Sequence, residues 1–253
     1  MKQIILFLLL ISQIFASVVT STIETVDEPN NIATIKIDKI DVGISGFIIH
    51  KIDESHSIIL KNITVNSFDN ATHTAILKMS NFNGLANNAL PSINYHVKNG
   101  DKVLLAFGYS RALLIAPNEE IYHRITKAIK VQWIHPDIFT TLLSLKGHLA
   151  PTKDDFLTMS NDTSVGLIYF FIKEKLYTVD AKSLKILAIS KAPLKQNSVK
   201  LPFYTRVKEM TNSWWDFGEG TDEVKDYNLY YYSLLLKYNP NNKQLKSEIE
   251  NDR

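Results

Sequence analysis

The stretch Arg111-Ala112-Leu113-Leu114-Ile115-Ala116-Pro117-Asn118-Glu119-Glu120-Ile121 decides the fold, because the hydrophobic period of the chain changes across it. Ala112 to Ala116 is a continuous apolar run, the pattern of a strand buried on both faces, and Pro117 ends it. Asn118 then stands where a helix N-cap is wanted, and Glu119 and Glu120 carry the negative charge that a helix N-terminus favours. Ile121, Ile125 and Ile129 continue at four-residue spacing, with Lys127 and Lys130 at the far end. The stretch predicts a strand, a turn and a helix.

Upstream of it the period is two. Ala33, Ile35 and Ile37 alternate with polar residues, as do Ala75, Leu77 and Met79, and Val103, Leu105 and Phe107. Polar turns at Asp27 to Asn31, Phe68 to Ala71 and Lys98 to Asp101 separate these runs, so residues 17–110 are expected to form a small antiparallel β-barrel or sandwich. Gly43 and Gly46 precede the apolar Phe47, Ile48 and Ile49 without a helix signal after them, which reads as a turn or bulge rather than a phosphate loop.

Downstream the signals alternate between the two kinds. Val131 to Ile134 reads as a strand, Pro136 as the first residue of a helix and Gly147 as its C-terminal cap. Thr152 and Asp155 have the spacing of a capping box. Val165 to Ile172, Leu176 to Val179 and Leu184 to Ile189 read as strands joined by turns at Lys173-Glu174 and Asp180 to Ser183. Trp214 and Trp215 lie in an acidic stretch, and Tyr227, Tyr230, Tyr231, Leu234 and Tyr238 follow at helical spacing. These predict an aromatic helix packed on the domain with its hydroxyls reaching water at the rim. The fold class is therefore α+β: the β-domain, then a mixed α/β domain over 111–238, then a polar tail over 239–253, a solvated tail or a frayed helix, in which no apolar periodicity is read.

The leader sets the compartment. Lys2 is followed by the apolar run Ile4 to Ile11, too short to cross roughly 30 Å of hydrocarbon, and the small residues Ala16 and Ser17 offer a cleavage site. Residues 1–16 read as a signal peptide, so the mature protein is expected to begin near Ser17, to carry no transmembrane helix, and to reside in a periplasm or at a cell surface. The chain has no cysteine, which excludes both lipid acylation at a cysteine and a disulfide-stapled secreted domain. Its 253 residues, 45% hydrophobic, suffice for a genuine core. A formal net charge of +2, which includes Lys2, leaves no basic stripe for a phosphate backbone, so nucleic acid is not an expected partner.

The search for chemistry returns no catalytic constellation. His135, Asp137, His148, Asp154 and Asp155 are the best metal candidates, but His135 sits at a strand–helix junction where capping explains it equally well. His50 and His56 flank a hairpin turn that also holds Ser55, with no carboxylate in evident register. There is no Gly-X-Ser-X-Gly elbow, and Pro117-Asn118-Glu119-Glu120 stands where a dinucleotide fold would place glycines. No catalytic residue, cofactor or metal is expected. The Asn-X-Ser/Thr triplets at Asn62, Asn70 and Asn161 are read as chance matches.

Five segments then carry a resemblance. Arg111 to Asn118, Trp133-Ile134-His135-Pro136-Asp137, Gly147 to Lys153, Leu201-Pro202-Phe203-Tyr204-Thr205-Arg206 and Asp226-Tyr227-Asn228 resemble, in this order, the N-terminal domain of the plasminogen-binding protein PgbA family of Helicobacter and related bacteria. The resemblance implies an exported, non-enzymatic protein that captures host plasminogen. Plasminogen's kringle domains hold a lysine ammonium with carboxylates and its stem with aromatics. The best-known members of the family carry a Lys/Glu-rich extension with a terminal lysine, whereas the sequence here reads Glu250-Asn251-Asp252-Arg253 at its end. A terminal arginine offers a planar fork in place of a compact ammonium. On this reading Lys243, Lys246 and Arg253 are the expected partner-binding residues. The other class of function left open is a periplasmic scaffold or assembly component of the envelope or flagellar motor.

Overall fold

The computed structural model describes residues 18–82, 95–207 and 223–251. The expected leader and cleavage site at Ala16 and Ser17, the Trp214–Trp215 pair and Arg253 lie outside the described residues. Two compact units divide between Phe107 and Gly108.

In the first unit six strands, β1 (Val19–Asp27), β2 (Ile32–Lys36), β3 (Ser45–Lys51), β4 (Ser57–Asp69), β5 (Thr74–Asn81) and β6 (Lys102–Leu105), close into an antiparallel barrel in the order β1-β2-β5-β4-β3-β6. The alternation that predicted a barrel or a sandwich thus resolves as a barrel. Ala33, Ile35, Ala75, Leu77, Met79, Val103 and Leu105 point inward and are buried, since the side-chain period of two sends every second residue to the lumen. Phe107 departs from the expected series: β6 ends at Leu105, Ala106 takes a positive φ of 56°, and the Phe107 ring is exposed. Gly46 lies within β3 where a Cβ would stand 2.0 Å from the Leu104 carbonyl oxygen of β6, so only glycine lets the two strands approach.

The second unit is a five-stranded mixed sheet in the order β11-β10-β9-β7-β8, with β7 (Arg111–Ile115) parallel to both β8 (Gln132–Ile134) and β9 (Leu167–Ile172). β10 (Lys175–Asp180) and β11 (Ile186–Lys191) complete it as antiparallel hairpins. Helix α1 (Glu119–Ala128) links β7 to β8, and α2 (Pro136–Lys146) and α3 (Lys153–Thr163) link β8 to β9. The local signals act as read from the sequence. Asn118 accepts the amide of Ile121 at the start of α1, Pro136 opens α2, Gly147 closes it at φ 70°, and Thr152 and Asp155 form the capping box of α3. Lys173 and Glu174 both take positive φ, as a tight hairpin turn requires.

Helix α4 (Tyr227–Tyr238) packs on one face of this sheet, where Tyr227, Tyr231, Tyr232 and Leu235 join Leu113, Ile115, Phe170 and Tyr177 in a single core. After Asn239 the structure decides between a solvated tail and a helix, and the helix is docked on the core where a solvated or frayed segment was expected. Lys243–Asn251 form a fifth helix, α5, started by Asn242 accepting the amide of Leu245, and Leu245 and Ile249 are buried in the same core. Two apolar residues four apart on an otherwise charged segment were enough, because the core face next to α4 was already available to receive them.

Candidate functional site: the carboxyl edge of the mixed sheet

The connection that leaves β7 runs to β8 on one side and the one that leaves β9 runs to β10 on the other, so the carboxyl ends of β7 and β9 flank a topological switch point. In open α/β sheets this is where a ligand crevice forms. Here the crevice is filled from within the chain. The Tyr227 hydroxyl sits 3.0 Å from the Ile115 carbonyl and 2.9 Å from that of Phe171, bridging the carboxyl ends of the two strands. Burial raises its pKa well above the ordinary phenol range, so it stays a protonated donor.

The segment around Leu201 to Arg206 straps the same edge. Lys200 and Tyr204 donate their amides to the Pro117 and Ala116 carbonyls, each at 2.7 Å, and Asn118 Nδ2 donates to Ser198 at 2.9 Å. The Tyr231 hydroxyl donates to Pro202, and Tyr230 donates to Pro151 in the α2–α3 loop. The aromatic stripe thus packs as a helix on the domain, but the hydroxyls of Tyr227 and Tyr231 end on buried backbone carbonyls and not, as expected, in rim water.

The histidines and acids singled out in the sequence divide into separate ties. His135 is the N-cap of α2, its Nδ1 accepting the Asp137 amide at 3.2 Å, and its ring meets those of Tyr122 and Tyr204. Burial lowers its pKa, which favours this neutral, accepting form. Asp137 accepts the amide of Arg206, the hydroxyl of Thr205 and the guanidinium Nε of Arg206, all at 2.8 Å. Burial alone would raise its pKa, yet these donors outweigh it and the carboxyl titrates at about 2. Asp155, fully buried at the head of α3, accepts from Thr152, His148 and Lys146, and the same balance holds its pKa below the usual carboxylate range. Among the described residues no three His, Asp or Glu side chains are placed to hold a metal ion.

On the barrel unit His50 pairs with Asp101 at 2.7 Å and His56 with Asp53 at 2.8 Å, so each histidine has a carboxylate of its own. Both line an open groove of about 700 Å³ with Lys51, Lys98 and Lys102. Of the expected partner-binding residues, Lys243 and Lys246 are exposed on α5. What the sequence did not reveal is the meeting of Asp137 with Thr205 and Arg206, or of Tyr227 with β7 and β9. Separations of 56 to 112 residues leave no local signal for either.

The five segments that carry the family resemblance therefore converge on one edge of one sheet. Residues 18–235 match the family described as "Plasminogen-binding protein pgbA N-terminal". This chain belongs to that family. It is 27% identical over 220 residues to the plasminogen-binding protein PgbA of Helicobacter pylori strain J99, and equally so to that of strain 26695. Each match covers 85% of this chain and 47% of the relative, so the chain spans about half the length of the curated relatives it matches. No solved structure matches it. The matched span includes the whole carboxyl edge and ends within α4, and α5 lies beyond it.

Proposed function

We propose that the chain is an exported, non-enzymatic binding protein that takes host plasminogen through lysine side chains on its surface. The observation that carries this reading is the match of residues 18–235 to a family whose relatives are named for plasminogen binding. Two features support it. The crevice at the switch point is closed by Tyr227 and the Leu201–Arg206 strap, and the polar groups gathered there bind one another. Lysines stand exposed on the same unit, Lys243 and Lys246 among them, and a kringle pocket takes a projecting ammonium rather than one held against the surface.

Export by the leader and display outside the cell belong to the same reading. No helix among the described residues is long and apolar enough to cross a membrane. Nothing among the relatives points to an envelope or flagellar component. Immobilised chain is expected to bind plasminogen in surface plasmon resonance, and 6-aminohexanoic acid, which occupies lysine pockets, is expected to release it. Absence of any lysine-sensitive binding overturns the reading. Protease shaving of intact cells is expected to remove the protein, and protection until the outer membrane is opened refutes display.

A further inference from the structure

Helix α5 has two faces of different character. Leu245 and Ile249 are buried against the core, and Glu248 on the flank is taken up by Lys175 and Tyr232. Opposite them Lys243, Lys246, Ser247 and Glu250 are all exposed and, at 3.6 residues per turn, fall within about 100° of arc. Among the described residues no hydrogen bond or ion pair engages the side chains of Lys243, Lys246 or Glu250. The order of the charges explains part of this, since a lysine four residues before a glutamate is the weaker arrangement for pairing along a helix.

A kringle that prefers a C-terminal lysine reads two charges, an ammonium and a carboxylate, at the ends of one short apolar stem. Residues four apart on a helix have Cβ atoms roughly 5–6 Å apart, so Lys246 and Glu250 present both charges, with the lysine methylenes between them, on a rigid support. We propose that the outer face of α5 is an internal substitute for a C-terminal lysine: Lys246, aided by Lys243, supplies the ammonium and Glu250 the carboxylate to a kringle-type lysine pocket. The proposal rests on the plasminogen-binding reading and deepens it, because it moves the ligand from a free tail to an ordered helix and adds a carboxylate that the lysines alone do not provide.

The test uses the full chain and plasminogen in surface plasmon resonance. Lys246→Ala is expected to weaken binding about tenfold and Glu250→Gln about threefold, the losses expected when one charge of a paired contact is removed. Lys243→Ala is expected to weaken it less, and Lys78→Ala, an exposed lysine of the barrel, not at all. Circular dichroism and the unfolding midpoint verify that each variant is folded. If the wild-type chain binds in a lysine-sensitive way and Lys246→Ala with Glu250→Gln binds equally well, α5 is not the ligand although the function stands. Loss on Lys246→Ala with none on Glu250→Gln overturns the paired form. If the wild-type chain does not bind plasminogen, the functional reading falls and this inference with it.

Discussion

The carboxyl edge of the mixed sheet and the outer face of α5 belong to one unit and treat their polar groups in opposite ways. At the edge the side chains that stand out in the sequence are spent on one another: Asp137 on Thr205 and Arg206, Asp155 on Thr152, His148 and Lys146, Tyr227 on the ends of β7 and β9. On α5 Lys243, Lys246 and Glu250 project into solvent from a helix whose inner side is held by Leu245, Ile249 and the tie of Glu248 to Lys175 and Tyr232. The contacts at the edge join segments far apart in the chain and hold the fold together. A binding surface needs the opposite property, groups left unsatisfied until the partner arrives.

The strongest way to break that contrast is to ask whether α5 is structural at all. Removing everything after Asn239 strips Leu245 and Ile249 from the core. Burial of two such side chains stabilises by about 3–6 kcal/mol, so the truncated chain is expected to lose a large fraction of its stability in urea unfolding. An unchanged midpoint would return α5 to the solvated tail that its composition suggested. Leu245→Ala alone is expected to cost about 2–5 kcal/mol by the same measurement.

The edge is probed next. Tyr227→Phe keeps the ring and removes the hydroxyl, leaving the buried carbonyls of Ile115 and Phe171 without that donor, and is expected to cost about 1–3 kcal/mol. A cost near zero would mean that the switch point is closed by packing alone.

Asp137 sharpens the comparison by its pH dependence. Its folded pKa of about 2 lies below the value near 4 of an unfolded aspartate, so its contribution is complete above about pH 4 and is lost as the pH falls toward 2. That contribution is about 1–2 kcal/mol, less than the full shift because Arg206 is well exposed to solvent. Asp137→Asn is therefore expected to be less stable than the wild type at pH 7 and equal to it below about pH 2, as thermal unfolding at a series of pH values will register. A constant gap across that range would assign the loss to packing.

How far the sequence foretold this follows from the range of each contact. The caps at Asn118, Pro136, Gly147 and Thr152, and the turn at Lys173-Glu174, depend on residues within four positions, and each acts as its spacing implied. The alternation at Ala75, Leu77 and Met79 announced an antiparallel β-domain, but only strand order distinguishes a closed barrel from a sandwich. The helix at Tyr227 was legible while Tyr232 and Leu235, also buried there, were not separated from its exposed side. Helix α5 is hard to tell from a solvated tail or a frayed helix in the sequence, because Asn242, Leu245 and Ile249 are its only signals among charged neighbours. The strap Leu201 to Arg206 stands out in the sequence only as a segment of the family resemblance, and its pairing with Asp137 has no local signal, since it spans 69 residues.

The smallest effect is expected where the two surfaces differ most. Lys243→Ala and Lys246→Ala remove long side chains that make no hydrogen bond or ion pair among the described residues, and alanine forms helix at least as well as lysine. Each variant should keep the unfolding midpoint of the wild type to within about 0.5 kcal/mol, the ordinary range for surface substitutions away from structural features. Urea unfolding beside the Leu245→Ala variant makes the comparison internal to one helix, with its inner face costly to change and its outer face neutral. A loss of more than about 1 kcal/mol from either lysine would show that its stem packs on the domain, as long basic side chains do when they cover apolar surface. The outer face would then be part of the fold, tied like the carboxyl edge, and no longer a surface held open for a partner.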